Sequence, residues 1–226
     1  MSTHPLDNPI WSSLDSRHAG IAIGRGGVLR YPRDVAPFIG VPEAHAAVDA
    51  DTLASLVAAG DTVYLLGTPP ALPAGWLLKH EAMLAQMICP ARVASVDHSG
   101  VIELGDAHRD DVLALTALVY PHYFRPRTMA LGRYFGLYVD GRLAAMIGER
   151  MGMPGHREIS AVCSHPDFAG QGHARLLLAF LGNDLHARGD LPFLHVSQQN
   201  LRAVRLYEQN GFHLRREIAF WSLRRG

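Results

Sequence analysis

The spacing of apolar residues differs between the two halves of the chain. In the second half, short apolar runs that end at Gly, Pro or Asp predict strands, at 99–105, 157–166, 191–198 and 213–225. Apolar residues that recur every three or four positions predict helices, at 106–119, 174–189 and 200–212. Asp140-Gly141 lies between two apolar runs, which predicts a β-hairpin over 133–151. The order of these elements predicts an α/β fold, a mixed sheet with helices on its faces.

The first half is rich in Pro and Gly and less regular. The segment 21–32 predicts a hairpin that turns at Arg25-Gly26-Gly27, and 49–60 predicts a short helix capped by Asp49 or Asp51. Residues 62–70 predict a strand, whereas the apolar segment 75–88 fits either a helix or a strand. We therefore expect an N-terminal α/β region of unknown role at 1–97 and a second domain at 98–226.

Composition narrows the class of protein. Hydrophobic residues make up 48% of the chain, enough for a packed core. The 21 basic residues balance the 21 acidic ones, which argues against a nucleic-acid partner that is bound through a strong positive field. No apolar run reaches the roughly 18 residues of a membrane span, and the N-terminus lacks a signal-peptide pattern. We expect a cytoplasmic protein with no membrane partner.

The cysteines and histidines give no sign of a metal site. The two cysteines, Cys89 and Cys163, are far apart and lack metal-ligand spacing. The 13 histidines are scattered, without an H-E-x-x-H motif. The sequence therefore predicts neither a metal nor a disulfide framework.

A glycine loop precedes the helix at 174–189. In HPDFAGQGHARLLL (165–178), Gly170 and Gly172 stand one residue apart. A P-loop would need a Lys after the glycines, and a dinucleotide fingerprint would need Gly or Ala where Arg175 stands. Two interpretations remain, a pyrophosphate bound at the helix N-terminus or an ordinary βα turn.

The helix at 200–212 carries two polar residues, Asn200 and Tyr207, seven positions apart. Seven residues are about two turns, so both side chains project from one side of the helix, roughly 10 Å apart. Each also has a structural explanation, Asn200 as an N-cap and Tyr207 as a core residue.

These motifs together resemble those of one family. Residues 99–226 resemble a GNAT N-acetyltransferase domain, whose acyl-CoA loop reads [R/Q]-x-x-G-x-[G/A]; this chain has Ala169-Gly170-Gln171-Gly172-His173-Ala174. NLRAVRLYEQNGF (200–212) resembles the family's N-x-x-A-x-x-L-Y-x-x-x-G-F, and the branch it resembles includes glycine N-acyltransferase-like domains. Ala169 departs from the family's Arg or Gln, which removes a side-chain contact.

The resemblance implies a mixed, mostly antiparallel sheet flanked by helices, preceded by the smaller α/β region. It implies acetyl-CoA as the acyl donor and a small amine or amino-acid-like acceptor, with direct attack in a ternary complex. The residues it implies for cofactor binding are Val162, Cys163, Ser164, Ala169, Gly170, Gln171, Gly172, His173, Ala174, Arg175, Asn200 and Tyr207.

The resemblance also implies catalytic roles. Tyr207 is the expected general acid for the leaving thiolate. For the base that takes the amine proton, Glu158 is favoured, followed by His195 and then Glu149. Two alternatives remain, a non-catalytic acyl-CoA-binding regulatory module and a different nucleotide or phosphate enzyme.

Overall fold

An eight-stranded sheet runs through the part of the chain that the computed structural model describes, residues 4–94, 97–119 and 123–226. The strands are β1 Ile23–Arg25, β2 Val28–Arg30, β3 Ile39–Gly40, β4 Thr62–Leu66, β5 Trp76–Ile88, β6 Ile102–Leu104, β7 Tyr134–Val139, β8 Arg142–Met153, β9 His156–Ser164, β10 Leu191–Ser197 and β11 His213–Arg225. The helices are α1 Pro9–Leu14, α2 Ala50–Leu56, α3 Arg109–Val119, α4 His173–Ala187 and α5 Leu201–Gln209.

The strand order of the large sheet is β4-β11-β5-β10-β9-β8-β7-β6. Only β9 and β10 pair in parallel, and the other neighbours are antiparallel. Strands β1, β2 and β3 form a separate small antiparallel sheet. The prediction of a mixed, mostly antiparallel sheet flanked by helices is confirmed.

Local sequence signals explain several element ends. Asp140 and Gly141 have φ of 49° and 74°, the left-handed values that a tight two-residue turn needs between β7 and β8. The side chain of Asp49 accepts a hydrogen bond from the backbone N–H of Thr52 at 2.7 Å and caps α2. Asn200 caps α5 in the same way, with Oδ1 3.1 Å from the N–H of Ala203.

The helices cover both faces of the sheet. Leucines of α4, among them Leu177 and Leu181, pack with Ile147 and Leu194, and part of α5 joins this cluster. The neighbouring strand positions point to the opposite face, because side chains alternate along a strand. There Met146 packs against α3, and Phe193 packs in the cluster that contains α1.

Residues before 98 contribute one interior strand and one edge strand of the large sheet. The segment that fits either a helix or a strand by sequence is β5, which lies between β10 and β11, and β4 pairs with the other edge of β11. Strands from both sides of residue 97 therefore share one sheet. The domain boundary at 97/98 stays a prediction.

Candidate active site

The two parallel strands separate part-way along their length. Strands β10 and β9 pair through Leu191–Phe193 and residues 156–158, and this pairing ends where Phe193 lies opposite Glu158. Along its opposite edge, β10 pairs with β5 from Phe193 to Ser197, through residues 84–88. Beyond Glu158, the edge of β9 that faces β10 therefore borders a gap, where its backbone can pair with an extended ligand.

A β-bulge reshapes β9 at this gap. Met146 lies opposite Cys163 and Gly148 opposite Ser160, so Ala161 and Val162 together face Ile147. Ala161 has a φ of 50°, a left-handed value that is uncommon for a residue with a side chain. Such local strain is found most often at functional sites.

A cavity of about 520 Å³ lies at the gap. Ile159–Cys163 of β9 line one wall, and His195, Val196 and Ser197 of β10 line another. Asn200 and Tyr207 of α5 both reach the cavity, as their seven-residue spacing predicts. The structure thus brings together Val162, Cys163, His195 and both α5 residues that the sequence singled out.

The glycine loop forms a separate exposed corner at the start of α4. Gly170 and Gly172 have φ of 82° and 83°, and a Cβ at either position would meet nothing within 4 Å. Gly172 is the N-cap of α4 and has no side chain to accept hydrogen bonds from the first turn. The free backbone N–H groups give this corner the chemistry of an anion site.

The other loop residues surround that corner. Ala169, Gln171 and Arg175 are exposed, whereas His173 and Ala174 are half-buried. Nε2 of His173 is buried without a hydrogen-bond partner among the described residues. Ser164 ends β9 opposite Ala145, just before the loop.

Glu158 is fully buried and held by an ion pair that the sequence did not indicate. Nε and Nη2 of Arg150 donate to its two carboxylate oxygens at 2.7 and 2.6 Å. Burial alone would raise the pKa of Glu158, but the Arg150 charge and the hydrogen bonds from Arg150 and His195 outweigh it and lower the pKa to about 2. Glu158 is therefore an anion that binds the side chains of Arg150 and His195, and it does not itself line the cavity.

His195 connects Glu158 to the cavity. Its Nδ1 lies 2.7 Å from Oε1 of Glu158, and its Nε2 lies 3.0 Å from Nε2 of Gln86. The amide of Gln86 has a fixed orientation, because its oxygen accepts from Arg215 at 2.7 Å and its nitrogen donates to the carbonyl of Leu6 at 2.7 Å. His195 therefore donates through Nδ1 and accepts at Nε2, the neutral tautomer that a base requires.

Glu149 and Cys163 have other surroundings. Glu149 is buried and paired with Arg133, and it does not line the cavity. Burial raises the pKa of Cys163 to about 12, so its thiol stays protonated at neutral pH. This is consistent with the prediction that Cys163 contributes its backbone and is not a nucleophile.

Residues of the first half line the remaining walls of the cavity. Phe38, Glu81 and Leu84 line it together with Tyr123 and Phe220. The sequence places Tyr123 in an aromatic segment with Tyr120, His122 and Phe124, of which Tyr120 and His122 lie outside the described residues. It did not identify Phe38, Glu81 or Arg150, because no local motif marks them.

The described residues, 4–94, 97–119 and 123–226, contain neither a metal-ligand cluster nor a membrane-spanning helix. No group of three or more His, Cys, Asp or Glu side chains in these ranges is placed to hold a metal ion. None of the helices in the same ranges is long and apolar enough to cross a membrane.

Comparison with known proteins assigns the family. The crystal structure of a GNAT-family acetyltransferase from Novosphingobium aromaticivorans DSM 12444 shares 35% identity with this chain, with a TM-score of 0.89, over 99% of this chain and 100% of the other. The chain belongs to the GNAT family. The family model for FR47-like proteins matches residues 134–221 of this GNAT protein, and no match was found among the curated proteins.

More distant structures share the GNAT fold. A GCN5-related N-acetyltransferase from Kribbella flavida is 16% identical, with a TM-score of 0.61 over 95% of each chain. A GNAT-family acetyltransferase from Colwellia psychrerythraea is 12% identical, with a TM-score of 0.55 over 100% of this chain and 98% of the other. The predicted enzyme class, a GNAT-type N-acetyltransferase, is confirmed. The branch that includes glycine N-acyltransferase-like domains stays a prediction.

Proposed function

We propose that the protein transfers an acetyl group from acetyl-CoA to a primary amine by direct attack in a ternary complex. The observation that carries the proposal is the cavity at the gap between β9 and β10, which Tyr207 and Asn200 line together with the bulged backbone of β9. In this proposal the thioester lies in the gap and the amine enters from the side of Phe38 and Phe220.

The donor occupies the gap and the glycine corner. The pantetheine arm pairs with the backbone of Val162, Cys163 and Ser164 as an added strand. The pyrophosphate accepts hydrogen bonds from the N–H groups at the start of α4, in the corner formed by residues 169–175. The open space around Gly170 and Gly172 supports that role, because it leaves room for the phosphates.

The proton transfers use Tyr207 and His195. The amine nitrogen attacks the thioester carbon, the C–S bond breaks, and the departing thiolate takes the phenol proton of Tyr207. The ammonium proton passes to Nε2 of His195 through a water that displaces the Gln86 amide from this nitrogen, while the anionic Glu158 stabilises the imidazolium that forms. His195 is the only one of the three predicted bases that lines the cavity, so we now favour it over Glu158 and Glu149.

The acceptor side favours an amine with an apolar or aromatic body. Phe38, Tyr123 and Phe220 line that end of the cavity. Both charged groups at this end are engaged, Arg150 by Glu158 and the carboxylate of Glu81 by Lys79 at 2.6 Å. The acceptor is therefore a small amine or amino-acid-like molecule.

A screen of amines with acetyl-CoA tests the proposal, with free thiol as the signal. We expect turnover of at least one aromatic or long aliphatic amine, and a loss of about 10²-fold in kcat for Tyr207→Phe, the usual size of a general-acid contribution. The matched control is Tyr138→Phe, since the Tyr138 hydroxyl donates to the exposed Asp111 and Tyr138 is not among the described residues that line the cavity.

The competing hypothesis is a non-catalytic acyl-CoA-binding module. The exposed Ala169, which replaces a contact residue of the family's loop, is the observation in its favour. Binding of acetyl-CoA without turnover of any amine would support it. Equal activity of Tyr207→Phe and Tyr138→Phe would remove Tyr207 from the mechanism.

A further inference from the structure

A second cavity, of about 530 Å³, lies beside the first and has several charged residues in its lining. Its charged lining consists of Arg30, Arg33, Asp34, Asp61 and Arg125. We call it the arginine cavity. It contains none of the residues assigned above to acetyl-CoA or to proton transfer.

The carboxylates of the arginine cavity are already paired. Asp61 accepts from Arg33 at 2.7 Å, and Asp34 accepts from Arg127 at 3.1 Å. For Arg30 and Arg125, no carboxylate lies within 4.0 Å in the described part of the chain, and the undescribed positions contain no Asp or Glu. The cavity thus holds two guanidinium groups outside salt-bridge distance of the described carboxylates, and Asp61 attracts Arg30 from beyond that distance.

Arg30 is the more deeply buried of these two, with 6% of its surface exposed. Its Nε donates to the carbonyl of Tyr31 at 2.9 Å, and its Nη1 donates to the carbonyl of Leu56. These two bonds hold the guanidinium in place without a direct ion pair, and Asp61 offsets part of its charge at longer range. Buried charges in proteins are normally paired, because the loss of hydration is costly.

Arg125 provides a second observation, a buried donor without a partner. Its Nε is buried and has no hydrogen-bond partner in residues 4–94, 97–119 and 123–226. Buried donors of this kind are normally satisfied, and a guanidinium edge is the donor arrangement that fits carboxylate and phosphate oxygens.

We propose that the arginine cavity binds a small anion, a carboxylate or a phosphate, through Arg30 and Arg125, with Arg33 at its exposed mouth. The proposal does not depend on the proposed acetyl transfer. The site adjoins the first cavity through aromatic rings, because Tyr64 lines the arginine cavity and stacks on Phe220 with ring centroids 5.2 Å apart. The anion is therefore either a free small molecule or an acidic group of the acceptor.

Calorimetric titration of the full chain with inorganic phosphate and with succinate, at fixed ionic strength, tests the site. We expect saturable binding and at least a tenfold rise in Kd for Arg125→Met. Arg225→Met is the control, since Arg225 is exposed at the end of β11 and lies outside the cavity. Arg125 is less buried than Arg30, so its variant is the one expected to fold.

A repeat with saturating coenzyme A separates this site from the glycine corner. Binding that persists with coenzyme A and is lost in Arg125→Met supports the proposal. Absence of saturable binding, displacement by coenzyme A, or equal affinity of Arg125→Met and Arg225→Met would overturn it. A selective rise of KM for acidic amines in Arg125→Met would identify the acceptor as the source of the anion. Unchanged KM values in this variant, together with binding of phosphate or succinate by the wild-type protein, would identify a free anion.

Discussion

Replacement of Arg150 by Met tests whether a single ion pair keeps the buried Glu158 carboxylate charged. Arg150 donates two hydrogen bonds to Glu158, whose side chain is 0% exposed. Methionine keeps much of the length of the arginine stem but supplies neither the charge nor the donors. In the variant, Nδ1 of His195 and the backbone N–H of Met151 remain as partners of Glu158.

The expected loss in the free energy of unfolding is about 3 kcal/mol at pH 7. Removal of one partner of a buried ion pair generally costs about 3–5 kcal/mol, and the donors that remain favour the lower end of that range. The loss should depend on pH. The pKa of Glu158 is lowered to about 2 from an ordinary 4.5, so the stability it contributes is present above pH 4.5 and is lost as the pH falls toward 2.

In Arg150→Met, burial is no longer opposed by the guanidinium, so the pKa of Glu158 rises. The carboxyl group then takes up a proton as the pH falls from 7 to 5, and the stability difference from wild type narrows. Urea unfolding, followed by far-UV circular dichroism at pH 7, 6 and 5, measures this difference.

Arg142→Met is the matched control, because Arg142 and its partner Asp167 are 51% and 59% exposed. An exposed pair of this kind contributes about 1 kcal/mol or less. The double variant Arg150→Met/Glu158→Gln should be more stable than Arg150→Met at pH 7, since it buries no charge. A loss for Arg150→Met no larger than that of Arg142→Met, or a loss independent of pH, would refute the reasoning.

Three further predictions concern single side chains. Gln86→Glu presents an acceptor to Nε2 of His195 and favours the imidazolium, so the acidic limb of the kcat/KM profile should move to higher pH; an unchanged profile would argue against His195 as the base. Burial lowers the pKa of His18 from 6.5 to about 4. As the pH is lowered through this range, the free energy of unfolding should fall by up to about 1.4 kcal/mol per pH unit, and urea titrations of His18→Gln should lack that slope. Asn200→Ala removes the cap that bonds the N–H of Ala203 and should cost about 1 kcal/mol, seen as a lower Tm; an unchanged Tm would show that the cap contributes little.

Elements with local signals could be predicted from the sequence. Asp140-Gly141 identified the β7–β8 hairpin, and Asn200 identified the start of α5, because turns and caps depend on residues that are neighbours in the chain. The family resemblance pointed to Val162, Cys163 and Tyr207, and these three residues line the same cavity.

The contacts that determine the chemistry were not predictable in this way. The charge of Glu158 depends on Arg150, which is eight residues away across a hairpin that contains bulges. The tautomer of His195 depends on Gln86, which is 109 residues away in the chain. Pairings of this kind arise from the arrangement of strands, and periodicity within a single segment carries no information about them.

The position of β5 between β10 and β11 has a consequence for synthesis of the protein. The ribosome completes Trp76–Ile88 early, but the two strands that flank this segment are the last two to emerge. Until then, both edges of a 13-residue strand lack their final partners. We expect nascent chains stalled before His213 to aggregate or to bind chaperones, and to become protease-resistant only after release of the complete polypeptide.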